Sequence, residues 1–173
     1  LIYLLGLSKP EMGGSEYFRG RRLRDGVAPK VERAFAKRIL KNLSVAIAGG
    51  LVSACHDLSE GGLAVSLAEM CMGADKGASV FLSEAPQNGC RRDYELLFCE
   101  SPTRFLVEVE KEKKEAFERT LGDIPFGLIG CVSQDAKLTV YGSRSKEIIA
   151  CDVRQLRDCW TKTFGEFRYS EVE

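Results

Sequence analysis

The chain opens on an unbroken apolar run, Leu1-Ile2-Tyr3-Leu4-Leu5, closed by Gly6. A strand covered on both faces has this pattern. Pro10 and Gly13-Gly14 mark a turn, and Ser15 stands where it would cap a short helix over residues 16–23. Val31, Phe35, Ile39, Leu43 and Ile47 recur every four residues among Lys and Arg. That spacing predicts an amphipathic helix over residues 29–48, ended by Gly49-Gly50. Residues 51–55 suit a short strand, and residues 63–72 a second helix with Leu63, Leu67 and Met70 on one side. A strand over 78–82 and a loop over 86–89 follow.

The second half repeats the style. Phe105, Val107 and Val109 recur at every second position across residues 104–110, with charged Arg104, Glu108 and Glu110 among the alternate positions, as in a half-exposed strand. A helix over 112–121 and strands over 127–132, 138–141 and 148–151 come next. A closing helix over 153–164 gathers Leu156, Cys159, Trp160 and Phe164 on its apolar side. Helices alternate with strands, and strands then cluster late. The expected fold is therefore α/β (α+β), one domain over residues 1–173 built on a mixed β-sheet flanked by helices. A chain that begins inside a strand suggests a domain cut from a longer protein.

Composition narrows the function. In 173 residues, 25 Lys+Arg balance 25 Asp+Glu, with 45% hydrophobic and 29% charged residues. These values exclude disorder and fibrous repeats. A formal net charge of zero removes the electrostatic case for general nucleic-acid binding. No apolar run approaches the roughly 20 residues of a membrane-spanning helix. The seven cysteines, at positions 55, 71, 90, 99, 131, 151 and 159, form no C-x-x-C pair. Zinc ribbons and thioredoxin-type chemistry thus have no footing, and reduced thiols in a cytoplasmic protein are expected. The clustered Arg19, Arg21, Arg22 and Arg24 have only Tyr17 and Phe18 as aromatic neighbours in sequence, so they are expected to be a solvated face or a partner contact.

Candidate chemistry concentrates at Ser53-Ala54-Cys55-His56-Asp57-Leu58-Ser59-Glu60-Gly61-Gly62-Leu63-Ala64, where a strand ends and a helix starts. Ligands of α/β folds bind beyond strand ends, where helix N-termini present unpaired amides to anions. Asp57 is a hard oxygen donor suited to Mg²⁺, and Ser59 suits a phosphate oxygen. The commoner use of such a pattern is structural, with Asp57 or Ser59 capping the helix and Gly61-Gly62 tightening the turn. For His56, the only histidine, a hydrogen-bonded structural role outweighs that of a general base. Glu60 suits the positive helix terminus, and Glu69 a solvated or interdomain contact.

Three stretches carry a resemblance: Gly13-Gly14-Ser15-Glu16-Tyr17; His56 to Ala64 with Leu67-Ala68-Glu69-Met70; and Phe98-Cys99-Glu100-Ser101. Together they resemble the phosphoribosylformylglycinamidine synthase family, and within it the C-terminal domain of the synthetase part. That domain belongs to the superfamily of aminoimidazole ribonucleotide synthetase. The resemblance implies ATP-dependent amidination of formylglycinamide ribonucleotide in purine biosynthesis, with ammonia from glutamine. It implies ATP or a structural ADP with Mg²⁺ at a pseudo-symmetric site, Asp57 serving the metal and Ser59 the nucleotide. No catalytic residue is expected in this chain, which would complete a pocket shared with N-terminal domains and be inert alone. Separate glutaminase and small accessory subunits are the partners implied, with no nucleic acid and no membrane. The family's substrate-contacting Glu-Ser-Gln is here Glu100-Ser101-Pro102, which lacks the Gln. The alternatives are a companion domain of a small-molecule kinase and a non-catalytic interaction domain; nucleotide titration of the intact parent separates enzyme from scaffold.

Overall fold

The computed structural model describes residues 1–165. Its first strand, β1 (Ile2–Leu5), is buried along its whole length. Ile2 and Leu4 face one side of a sheet, and Tyr3 and Leu5 the other. That double burial is why the opening run lacks a polar alternation.

Six more strands join it: β2 (Ala54–Asp57), β3 (Gly77–Phe81), β4 (Phe105–Glu108), β5 (Phe126–Ser133), β6 (Lys137–Tyr141) and β7 (Glu147–Asp152). Their order across the sheet is β2-β4-β1-β5-β3-β6-β7. All neighbours are antiparallel except β3 and β6, which run parallel. The expected mixed sheet is thus present. Helices α2 (Arg33–Ala48) and α5 (Lys114–Leu121) cover one face through Ile39, Leu43, Phe117 and Leu121. Helices α3 (Gly62–Ala74), α4 (Asp93–Phe98) and α6 (Val153–Gly165) lie on the other, with Leu63, Leu67, Leu96, Leu97 and Val153 in its core. A single-turn helix, α1 (Glu16–Gly20), stands over the loop before α2.

Several elements differ from the sequence expectation for physical reasons. The strand expected at 51–55 forms three residues later, so His56 and Asp57 lie inside β2 and pair with Leu106 and Phe105. Leu51 and Val52 instead pack into the core under α2. Helix α2 starts at Arg33 rather than residue 29, so Val31, 60% exposed, lies before it, and at its far end Ile47 is 49% exposed. A four-residue period overshoots each helical turn by about 40°, so Ile47, two steps beyond Ile39, has left the buried face. Strand β4 is not half-exposed. Leu106 and Val107 are both buried, and Arg104 just before them is 1% exposed. Trp160 is not core: it is 50% exposed and walls an open groove with Ala68 and Met72. The side chain of Phe164 lies outside the described residues. Helix α1 ends at Gly20 rather than residue 23, and α4 was not expected at all.

Candidate functional site

Strand β2 delivers Asp57 to its end, and the chain turns there into α3. Leu58, buried, donates its N–H to the Arg104 carbonyl at 3.0 Å, which holds the turn against β4. Gly61 and Gly62 are both left-handed, at φ +77° and +61°. A Cβ on Gly62 would stand 2.4 Å from the Cys99 carbonyl oxygen. Only glycine lets the helix start this close to the 99–101 loop.

Neither Asp57 nor Ser59 caps α3: its N-cap residue is Gly61, and neither of the two side chains bonds to the helix amides. The structural explanation of those two residues therefore fails. The Ser59 hydroxyl donates instead to Asp57 Oδ2 at 3.3 Å, and the Asp57 side chain is 67% exposed. The cap comes from elsewhere. Glu100 Oε1 accepts the Gly61 N–H at 2.9 Å and also the Glu16 N–H, the first of α1, at 2.9 Å. Ser15 completes the start of α1 by accepting the Phe18 N–H and donating to the Met12 carbonyl. Glu100 thus ties together the three stretches that carry the family resemblance. The Gly62 N–H is taken by the Ser59 carbonyl at 3.1 Å. Both glycine amides are engaged internally, so they are not the free anion donors that the strand–helix pattern suggested.

Glu100 Oε1 and the Ser101 hydroxyl are both engaged by bonds within the domain. Ser101 is buried, accepts the Lys9 N–H at 3.2 Å and donates to the Lys9 carbonyl at 3.3 Å. Beneath them Arg104 donates from Nε to the Ser101 carbonyl at 2.9 Å, from Nη1 to Ser8 Oγ at 3.1 Å and from Nη2 to the Cys99 carbonyl. Burial pulls its guanidinium pKa below the ordinary range, against the raising effect of Cys99 and other neighbours. Arg104 escaped the sequence reading because a strand-edge arginine ordinarily faces water. Its only signal was its place next to the apolar run Phe105-Leu106-Val107.

His56 is held at both ring nitrogens. Nδ1 donates to the Asp57 carbonyl at 2.6 Å, and Nε2 lies 3.1 Å from Glu69 Oε2. That anchoring agrees with the structural role. Glu69 pairs with His56 rather than standing free for a contact outside the domain.

Asp57, Ser59, Glu60 and Glu100 line one open depression of about 490 Å³, together with Thr103. The sequence-derived pair therefore shares one surface. Among the described residues, no group of three or more His, Cys, Asp or Glu side chains is arranged to hold a metal ion. The donor set fits only a hard cation that takes one carboxylate here and its other ligands from phosphate, water or another domain, as Mg²⁺ does.

Residues 1–143 match the family described as AIR synthase related protein, C-terminal domain. Over 157 residues the chain is 35% identical to the phosphoribosylformylglycinamidine synthase subunit PurL of Thermococcus sibiricus. That match covers 91% of this chain and 22% of the relative, so the chain spans under a quarter of its length. The structure of T. maritima PurL complexed with FGAR gives a TM-score of 0.77 at 19% identity, over 90% of this chain and 27% of that one. T. maritima PurL complexed with ADP gives 0.70 at 18% identity, over 90% and 24%. The hydrogenase maturation protein HypE in complex with ATP gives 0.58 at 15% identity, over 85% and 48%. At these identities the structural likenesses establish the fold. With the family matched from the first strand to the β6–β7 turn, the chain belongs to the AIR synthase-related proteins and represents their C-terminal domain.

Proposed function

We propose that this chain is the C-terminal companion domain of a phosphoribosylformylglycinamidine synthase, and that its parent forms the amidine of formylglycinamide ribonucleotide at the expense of ATP in purine biosynthesis. The observation that carries this reading is the 35% identity to a synthase subunit across 91% of the chain. In this reading residues 1–173 form one companion domain, and a nucleotide with Mg²⁺ occupies the depression beside Asp57. The bound nucleotide supplies phosphate charge, and the metal neutralises it. Asp57 binds the metal through its exposed carboxylate. Ser59 turns its hydroxyl from Asp57 toward a phosphate oxygen. The turn stays rigid meanwhile, because Glu100 and not the ligand holds Gly61.

In this reading the residues that face the depression bind metal and nucleotide, and the reacting groups belong to other domains. The N-terminal domains of the same synthetase, a separate glutaminase and a small accessory subunit are the partners of this reading, and the cytoplasm is its location. All seven cysteines are unpaired, in keeping with a reducing compartment. The test is an assay of the parent and of the isolated chain with formylglycinamide ribonucleotide, ATP, Mg²⁺ and ammonia. Amidine should form with the parent and stay at background with the chain. Turnover by the isolated chain, or none by the parent, overturns the reading.

A further inference from the structure

Outside the lining of the Asp57 depression, on the other side of the Glu100 tie, the structure assembles a feature that the sequence kept apart. Tyr17 of α1 stacks on Phe98 at 4.6 Å between ring centroids, and on Tyr94 at 5.5 Å, both near-parallel. The Arg21 guanidinium lies over the Tyr17 ring at 4.5 Å, and that of Arg92 lies 5.9 Å from the Tyr94 ring. Neither arginine has a carboxylate partner among the described ion pairs, and the same holds for Arg22, Arg24 and Arg91. Across residues 16–27 and 91–98 six arginines stand against four acids, Glu16, Asp25, Asp93 and Glu95, which in a chain of zero net charge leaves a modest positive excess on a pre-ordered aromatic support. A guanidinium resting on a ring loses less freedom when it meets an anion than one waving in water.

The loop beside this stack is fastened rather than loose. Leu23 donates its N–H to the Phe18 carbonyl at 2.9 Å, and the Val27 carbonyl accepts the Gly13 N–H at 2.9 Å. Yet the side chains of Leu23 and Val27 are 50% and 59% exposed. Fixed backbone that holds apolar side chains in water, interleaved with unpaired arginines, is the composition of a protein interface.

We propose that the α1–α4 aromatic stack and the adjoining 21–27 loop dock an acidic protein segment that carries apolar residues. Its carboxylates meet Arg21 and Arg92, and its apolar side chains cover Leu23 and Val27. Charge complementarity selects an acidic partner. Nucleic acid fits less well. Base stacking needs an open ring face, and Tyr17 already meets Phe98, Tyr94 and Arg21. Phosphates would also leave the two aliphatic side chains in water. The surface is distinct from the proposed nucleotide depression, and this inference does not depend on the parent's reaction.

The test is fluorescence anisotropy of the full chain with a labelled peptide alternating Glu and Leu, run against a labelled single-stranded RNA of equal length. The peptide should bind, and raising the salt from about 50 to about 300 mM should weaken it roughly tenfold as the charges are screened. The double variant Arg21→Glu/Arg92→Glu should lose at least about tenfold in affinity. Lys111→Glu/Lys113→Glu, on a mixed-charge surface elsewhere, should bind as wild type. Leu23→Ser should weaken the peptide at both salt concentrations. Circular dichroism confirms folding of each variant, and Arg92→Gln replaces the double reversal if that one unfolds. No salt-dependent peptide binding, unchanged affinity in the reversal variant, or RNA bound as tightly as the peptide would each overturn the proposal.

Discussion

The Glu100 carboxylate accepts the Gly61 N–H at 2.9 Å, and the same oxygen accepts the Glu16 N–H at 2.9 Å. One side chain therefore caps two helices that lie far apart in sequence, and it frees Asp57 and Ser59 from that duty. Glu100→Ala leaves two amides without their acceptor. With the site half-buried and water able to recover part of the loss, stability should fall by about 2 kcal/mol. Glu100→Gln keeps an acceptor oxygen and should cost less than about half as much. Urea unfolding of the three proteins decides this, and equal stability of wild type and Glu100→Ala would remove Glu100 as the cap.

Gly14, before α1, and Gly62, at the start of α3, separate conformational cost from steric cost. Gly14 and Gly62 are both left-handed, at φ +81° and +61°. A Cβ at Gly14 meets nothing within 4 Å, whereas at Gly62 it would lie 2.4 Å from one backbone carbonyl and 2.9 Å from another. Gly14→Ala should therefore cost only the left-handed penalty, about 1 kcal/mol. Gly62→Ala adds a clash with backbone that cannot step aside, and should cost at least about 3 kcal/mol. Thermal unfolding midpoints that rank the two variants in the opposite order would refute this account of the two glycines.

These contacts mark where sequence ceases to be legible. The buried β1 and the strands from β5 to β7 stood out because apolar runs and alternation are local signals. Asp57 and Ser59 stood out because strand, acid, hydroxyl and paired glycines lie within a few residues. Glu100 stood out only through the family resemblance, and its capping role did not, since its partners Gly61 and Glu16 are 39 and 84 residues away. Arg104 was hidden for the same reason, its burial being set by the distant Ser8 as well as the nearby Cys99–Ser101 loop. The six residues of α4 are too few for a helical period to emerge. The start of β2 was misplaced because Leu51 and Val52 are apolar for packing and not for pairing.

Tyr3 makes stability pH-dependent at the alkaline end. It is fully buried, and its hydroxyl donates to Glu118 Oε1 at 2.8 Å. Burial first, then that hydrogen bond and the charge of Glu118, raise its pKa well above the ordinary phenol. In the unfolded chain Tyr3 loses its proton near pH 10, while the folded chain keeps it. The unfolded state then binds fewer protons, so stability falls as pH rises. The contribution is intact below about pH 10 and declines above it by up to about 1.4 kcal/mol per pH unit. Tyr3→Phe should lose about 1 kcal/mol at neutral pH and show a shallower alkaline decline. Urea midpoints measured from neutrality to about pH 11 check both. Parallel curves for the two proteins would exclude Tyr3 as the source.

Asp57 and Ser59 offer the sharpest test of the proposed nucleotide pocket, because neither contributes a helix cap. Asp57 is mostly exposed, and its side chain bonds only to Ser59 among the described hydrogen bonds. Without ligand, Asp57→Ala in the parent protein should therefore change stability by less than about 0.5 kcal/mol, as surface substitutions do. With Mg²⁺ and ADP at a hundredfold excess over the dissociation constant, wild type should gain about 2.7 kcal/mol. Asp57→Ala should lose most of that gain, since the polyphosphate charge is then left without its metal ligand. Ser59→Ala should lose on the order of 1 kcal/mol of it, one hydrogen bond to phosphate. Magnesium dependence adds a second axis: omitting the metal should bring wild type down to the level of Asp57→Ala. Thermal unfolding of the three proteins, with ADP alone and with Mg²⁺–ADP, gives the whole pattern. If wild type and Asp57→Ala gain equally from Mg²⁺–ADP, the carboxylate holds no metal. If neither gains at all, the depression beside β2 is not a nucleotide site.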